Sequence, residues 1–168
     1  MQSNPFRWSF RSRFLLGFLL CAGLIGFALF SQFQWGLLPC PLCIFQRIAF
    51  AGLAVVFLVG SLHAPKGAWT RRIYGLLALI PAGIGIGISG RHVWLTTLSP
   101  DQVPECGPPL AFMMETNAFT EVVKKVLTGS GECAKVDWTF LGLSMPAWSL
   151  LWFVLLAGWA LYAALRMR

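Results

Sequence analysis

Four long stretches of the chain are almost entirely apolar, and polar residues collect in the segments between them. The stretches cover about residues 14–33, 44–62, 73–89 and 148–165, and Arg47 is the only charged residue inside them. A helix of about 20 apolar residues can cross a bilayer, and none of the four stretches alternates apolar and polar residues as a membrane β-strand does. The pattern predicts an all-α membrane protein: a four-transmembrane-helix bundle that forms a single membrane domain over residues 1–168.

Composition agrees with a membrane protein and disfavours two other classes. Hydrophobic residues make up 57% of the chain and charged residues only 11%, whereas roughly a quarter of the residues of a soluble domain are charged. The apolar content is also too high for intrinsic disorder. The net charge of +7 could by itself suggest nucleic-acid binding. Because the positions of the charges fit a membrane topology, we expect lipid and no nucleic acid as a partner.

The charged residues of the connections predict the orientation in the membrane. The loop at about residues 34–43 has no charged residue. The loop at about residues 90–147 contains all six acidic residues of the chain. The N-terminal segment, the connection after the second span and the C-terminal tail carry basic residues and no acid: Arg7, Arg11, Arg13, Lys66, Arg71, Arg72, Arg166 and Arg168. Basic residues in short loops favour the cytoplasmic side. We therefore expect a multi-pass protein of a bacterial inner membrane, with both termini in the cytoplasm and the two loops in the periplasm.

One segment of the second periplasmic loop has a helical pattern. Between Asn117 and Leu127 the apolar residues recur three and four positions apart, opposite charged residues. The segment is too short to span a bilayer, so we expect a short amphipathic helix lying in the membrane interface, in preference to one packed on the bundle. Gly129 and Gly131 should end it.

The third apolar stretch contains a glycine pattern that matches a dinucleotide-binding motif, Gly85-Ile-Gly-Ile-Ser-Gly90. That motif requires a preceding β-strand, and here the glycines lie inside a membrane span. We interpret Gly83 and Gly87 instead as small residues that let two membrane helices approach closely.

Four of the five cysteines lie in the two predicted periplasmic loops: Cys40, Cys43, Cys106 and Cys133. The fifth, Cys21, lies inside the first span, and we assign it no function because a buried thiol behaves as a small apolar group. Three uses compete for the loop cysteines: structural disulfides, a metal site and thiol–disulfide exchange. Zinc sites normally pair two close doublets, and Cys106 and Cys133 are far apart in sequence, so we expect no metal site.

The location of the Cys40-Pro-Leu-Cys43 motif favours redox chemistry. The motif opens the second span, so the positive end of that helix points at Cys43, and Arg47 lies one turn further on. Both features stabilise a thiolate, the nucleophile of disulfide exchange. Forming a disulfide releases two electrons, and an arginine just inside a membrane bundle suits a lipid-soluble quinone as their acceptor. His92, at the end of the third span, could serve the same region or be an ordinary interfacial histidine.

Several motifs together closely resemble the DsbB family of disulfide bond formation proteins. They are Cys40-Pro-Leu-Cys43-Ile-Phe-Gln-Arg47, Ser130-Gly-Glu-Cys133-Ala and Trp138-Thr-Phe-Leu-Gly-Leu-Ser-Met-Pro146-Ala-Trp148. The resemblance covers essentially the whole chain. It implies a quinone-dependent thiol oxidase that reoxidises a soluble thioredoxin-like dithiol oxidase, DsbA, in the periplasm.

The resemblance also implies a role for each site residue. Cys106 would form the mixed disulfide with the partner and have Cys133 as its loop partner, and Cys133 would exchange with Cys40. Cys43, as a thiolate, would contact ubiquinone or menaquinone, with Arg47 and His92 supporting the cofactor. The chain differs from the best-known member in having Pro41 between the cysteines and Gln46 where an acid can precede the arginine.

Two other functions remain open at the level of sequence. A tetraspan scaffold with structural disulfides would have a redox-inert Cys40. A quinone reductase similar to vitamin K reductases would also place a Cys-x-x-Cys motif beside the membrane. The sequence does not decide the quinone type, the resting disulfides or the oligomeric state.

Overall fold

The computed structural model describes residues 9–36, 39–99, 102, 110–128, 131–134 and 138–166. Four long helices cross the molecule: α1 (Phe10–Trp35), α2 (Pro41–His63), α3 (Ala68–Thr96) and α7 (Met145–Leu165). Between α3 and α7 lie three short helices and a hairpin: α4 (Leu110–Thr116), α5 (Phe119–Thr128), α6 (Gly131–Ala134), β1 (Thr139–Phe140) and β2 (Leu143–Ser144).

The four long helices are each long and apolar enough to span a membrane. The prediction of an all-α bundle of four membrane helices is therefore confirmed. The largest difference at a helix end concerns α3, which was expected to stop near residue 89 and continues to Thr96. The extension matters for the site because it places His92 on a rigid helix rather than on a loop.

Aromatic side chains fill the interior of the bundle. Phe14, Phe57 and Phe153 are fully buried. Phe153 of α7 stacks on Phe50 of α2, with the ring centroids 3.8 Å apart, and Phe14 meets Phe57 edge to face at 5.2 Å. The rings therefore join α1, α2 and α7 through one continuous core.

Close helix packing involves different glycines from those predicted. A Cβ atom on Gly83 or Gly87 would meet nothing within 4 Å, so the expectation that these two residues permit close approach is wrong. In α3 the glycines that do so are Gly75, which faces Ala164, and Gly85, which lies under the ring of Phe153; Gly17 of α1 and Gly60 of α2 pack in the same way against Phe57 and Phe14. Gly75 and Gly85 both lie on the side of α3 that packs against α7. Residues two positions apart on a helix point in widely different directions, so Gly83 and Gly87 do not lie on the side of α3 that carries Gly85.

The short elements cover one end of the bundle, where α2 begins and α3 ends, and we call this the cysteine end. A second apolar cluster forms there from side chains of α2, α3, α4, α5 and α6: Leu42, Ile88, Leu95, Met113, Val122, Val126 and Cys133. The predicted helix within residues 117–127 is present as α5. Its apolar residues Val122 and Val126 are buried in this cluster, which corrects the expectation that lipid rather than the bundle would cover that side.

A single arginine attaches the end of α5 to α3. The guanidinium of Arg91 donates hydrogen bonds to the carbonyl oxygens of Leu127 (3.1 Å) and Thr128 (2.9 Å). These are carbonyls of the last turn of α5, which helix geometry leaves without partners inside the helix. Arg91 also lies over the ring of Trp94, 4.2 Å from its centroid. The end of α5 is therefore fixed to the bundle close to His92.

Candidate functional site

The Cys40-Pro-Leu-Cys43 motif forms the first turn of α2. Cys40 is the N-cap, with extended backbone angles, and its sulfur accepts a hydrogen bond from the backbone N–H of Cys43 at 3.4 Å. Pro41 occupies the first helical position, where its fixed φ suits a helix and its missing N–H costs nothing. Because an N-cap side chain folds toward the third helical residue, this arrangement brings the two sulfur atoms to 3.1 Å.

A third thiol reaches the pair from the second loop. Cys133 lies in α6, is 1% exposed and packs in the apolar cluster of the cysteine end. Its thiol interacts with that of Cys40 and lowers the pKa of the Cys40 thiol, but Cys133 lies outside the group formed by Cys40, Cys43 and His92, whose donor atoms are within 4.8 Å of one another. Residues far apart in sequence thus form a contiguous series of sulfur atoms in the order Cys133, Cys40, Cys43.

The surroundings of Cys40 favour its protonated form. The hydrogen bond with Cys133 lowers the pKa of the Cys40 thiol, but the hydrogen bond with Cys43, burial and the charge of Cys43 outweigh it and raise the pKa to about 12. Cys40 therefore keeps its proton at neutral pH. Within the reduced pair, a negative charge is better placed on Cys43, beside the free amide groups at the start of α2.

His92 lies against the thiol pair, held by a residue that the sequence did not single out as a site residue. Its Nε2 is 3.7 Å from the sulfur of Cys40, and its Nδ1 is 3.2 Å from the amide nitrogen of Gln46. His92 is 3% exposed and Gln46 is 4% exposed. When the Gln46 amide donates to Nδ1, a neutral imidazole carries its proton on Nε2 and points it at Cys40. The sequence contained one signal for Gln46: it is an uncharged polar residue in an apolar span, three residues after Cys43.

Arg47 reaches away from the thiols and toward α1. Its guanidinium donates to the side-chain oxygen of Gln32 at 2.6 Å and to the carbonyl oxygen of Ala28 at 3.0 Å. The residue is half-buried and lies one turn after Cys43. The predicted position beside the motif is present, and the two hydrogen bonds explain how a cation is held inside the bundle.

A buried hydroxyl lies one turn before His92 on the same face of α3. Ser89 is fully buried, and its Oγ has no hydrogen-bond partner among the described residues. Leaving such a group unpaired costs about 1–3 kcal/mol. Cys106, the remaining site residue predicted from the sequence, lies outside the described residues.

The comparisons with known proteins agree with this arrangement. Residues 10–163 match the model of the family described as disulfide bond formation protein DsbB. Proteins named disulfide bond formation protein B share 59% identity with the chain in Xanthomonas axonopodis pv. citri and 52% in Xylella fastidiosa strain 9a5c. The first alignment covers 98% of this chain and 96% of the relative, and the second covers 92% and 89%.

The family result fixes the general class of activity. Four apolar helices and this family together make the chain a multi-pass protein of a bacterial inner-membrane family with a disulfide oxidoreductase role. The cysteine end has what such a role requires: three thiols that approach one another from two parts of the chain. The chain belongs to the DsbB family of disulfide bond formation proteins.

Proposed function

We propose that the protein is a dithiol:quinone oxidoreductase that reoxidises a periplasmic thioredoxin-like dithiol oxidase of the DsbA type. The observation that carries the proposal is the continuous series of sulfur atoms from Cys133 through Cys40 to Cys43. A structural disulfide needs only two sulfur atoms, whereas a relay by exchange needs a third within reach of the second.

The relay proceeds by two exchanges within the chain. The partner's dithiol reduces a Cys106–Cys133 disulfide and leaves oxidised as a disulfide itself. The Cys133 thiolate then attacks the sulfur of Cys40 in a Cys40–Cys43 disulfide, so a Cys133–Cys40 bond forms and Cys43 leaves as a thiolate. Cys106 attacks Cys133, which restores the loop disulfide and releases Cys40. The net result is one reduced Cys40–Cys43 pair for each partner oxidised.

The residues at the cysteine end fit a quinone. The group would be held by Cys43, Arg47 and His92, and the unpaired hydroxyl of Ser89 is a buried donor that a quinone oxygen would satisfy. A bound ubiquinone or menaquinone accepts two electrons and two protons. The chain supplies a thiol on Cys40 and an imidazole in contact with it. Half a turn of the Gln46 amide would let Nδ1 of His92 keep a proton and leave Nε2 free to accept one from Cys40.

The orientation in the membrane is part of the same proposal. Both termini lie in the cytoplasm and the cysteine end faces the periplasm, where a soluble dithiol partner and an oxidising environment are available. The support is the distribution of basic residues, which lie in the terminal segments and the connection between α2 and α3. Cysteine labelling from either side of intact inner membranes tests this arrangement.

The decisive experiment measures quinone reduction by the purified protein in detergent. A reduced thioredoxin-like oxidase is the electron donor, ubiquinone and menaquinone are tested separately, and the quinone absorbance is followed. We expect turnover that is lost in Cys40→Ser, Cys43→Ser and Cys106→Ser and kept in Cys21→Ala, which is the matched control because that thiol lies outside the series.

Other outcomes would identify one of the two alternatives. Absence of turnover with either quinone, with Cys40 inert to exchange, would indicate a scaffold whose disulfides are structural. Quinone reduction by a small dithiol but never by a protein dithiol would indicate a reductase of the vitamin K type.

A further inference from the structure

The thiol pair and His92 form a cluster of the kind that binds soft metal ions. The sulfur atoms of Cys40 and Cys43 are 3.1 Å apart, and Nε2 of His92 is 3.7 Å from the sulfur of Cys40. All three donor atoms lie within 4.8 Å of one another. They come from the start of α2 and the end of α3, two rigid helices.

These distances suit a tetrahedral thiolate–imidazole site. Zinc binds sulfur at about 2.3 Å and histidine nitrogen at about 2.0–2.1 Å, so the ligand atoms of a tetrahedral site lie about 3.5–3.8 Å apart. The separation of 3.1 Å lies just below that range, the separation of 3.7 Å lies within it, and the third pair is within 4.8 Å. Adjustments of less than about 1 Å, within reach of side-chain rotation, would bring the three atoms to it.

A candidate fourth ligand and an outer hydrogen bond lie next to these three residues. Cys133 is buried in the apolar cluster and its thiol interacts with that of Cys40. It lies outside the group of three close donor atoms, so its side chain would move closer to serve as the fourth ligand. The amide nitrogen of Gln46 is 3.2 Å from the far nitrogen of His92. Half a turn of that amide would put its oxygen in the same place, where it would accept from Nδ1–H and orient a metal-bound histidine. Three cysteines and one histidine form a common set of ligands for structural zinc.

We propose that the fully reduced protein binds one soft divalent cation of the Zn²⁺ or Cd²⁺ class at Cys40, Cys43, His92 and Cys133, and that the bound ion blocks reoxidation. Each thiol ligand gives up its proton on binding, and no electron is transferred. A Cys40–Cys43 disulfide removes two of the four ligands, so the site exists only in the reduced state. The proposed metal binding does not depend on the proposed function, whereas the proposed inhibition of reoxidation rests on it.

The sequence predicted no metal site, because Cys106 and Cys133 do not form a close doublet. The fold supplies a different set. His92 comes from the end of the third membrane helix, and its approach to the motif depends on helix packing, which cysteine spacing does not report.

Binding is tested by titrating the full-length protein in detergent with Co²⁺ and Cd²⁺ after anaerobic reduction and removal of the reductant. We expect one ion per chain, a thiolate charge-transfer band and tetrahedral Co²⁺ bands, all absent from the oxidised protein. His92→Gln should change the Co²⁺ bands, and Gln46→Leu should weaken binding about 10- to 100-fold. Cys21→Ala, the matched control, should bind as the unmodified protein does.

Three results would overturn the binding proposal. They are no stoichiometric binding by the reduced protein, equal binding by the oxidised protein, and Co²⁺ bands that His92→Gln leaves unchanged in a variant with normal helicity. Turnover is then measured with and without Cd²⁺. We expect inhibition that a chelator reverses, and undiminished turnover by a Cd²⁺-loaded protein would overturn the inhibition. A protein without any turnover would overturn the proposed function while the titration still decides the site.

Discussion

Replacing Gly85 by alanine should destabilise the bundle, although alanine is the better helix former. A Cβ atom at position 85 would lie 2.3 Å from Cε1 and 2.4 Å from Cζ of Phe153, more than 1 Å inside ordinary contact. Phe153 has little room to move because it is fully buried and stacked on Phe50. Overpacking of this kind costs about 1–3 kcal/mol.

Gly87→Ala is the matched control for this substitution. It lies in the same helix, gains the same helix propensity of about 1 kcal/mol, and its new Cβ meets nothing within 4 Å. The difference between the two variants therefore isolates the clash with Phe153. For a chain of this size, 1 kcal/mol corresponds to about 2–4 °C in Tm, so Gly85→Ala should melt roughly 2–12 °C below Gly87→Ala.

Thermal unfolding of the purified protein in detergent, followed by tryptophan fluorescence, measures the difference. Gly83→Ala serves as a second control because its Cβ also meets nothing within 4 Å. Equal melting temperatures for Gly85→Ala and Gly87→Ala would refute the reasoning, since they would show that α3 and α7 do not pack through Gly85.

Three further predictions follow from single contacts. Cys21→Ala should leave quinone turnover unchanged, and a loss of turnover with normal membrane insertion would reveal a working thiol in α1. Arg47→Ala should raise the apparent KM for quinone. Gln32→Ala removes one hydrogen bond but keeps the cation, so it should raise the KM much less. Equal effects of the two substitutions would mean that Arg47 acts only by packing in the bundle. Arg91→Ala should speed amide hydrogen exchange in α5, with α1 as the internal reference, because two carbonyl partners lose their donor; unchanged exchange would mean that Val122 and Val126 alone hold the helix.

The helices could be predicted from the sequence because hydrophobic length is a local property. The four apolar stretches and the short helix α5 were found in this way. The Cys40-Pro-Leu-Cys43 motif was expected at the mouth of a second span beginning near residue 44, whereas α2 already begins at Pro41 with Cys40 as its cap. The orientation of Cys43 toward the helix start follows from the same local rule.

Properties that depend on helix packing could not be predicted from the sequence. The choice among Gly83, Gly85 and Gly87 depends on the rotation of α3 against α7, and nothing in the local sequence specifies it. The contact between Gln46 and His92 joins residues 46 positions apart and required α3 to continue beyond its apolar stretch. The apolar side of α5 could equally have contacted lipid or protein, since apolar residues are favourable against both.

The role of Cys40 as helix cap links the redox chemistry to the backbone. A cap of this kind is worth about 0.5–2 kcal/mol when an oxygen provides it, and here the acceptor is the sulfur of the protonated Cys40 thiol. Each time Cys40 bonds to another sulfur atom, its own sulfur is fixed in a new position, and the hydrogen bond from the N–H of Cys43 changes in length and angle. The start of the helix thus reports the oxidation state of the pair, so the amide of Cys43 becomes a backbone probe of the catalytic cycle that needs no label on either thiol.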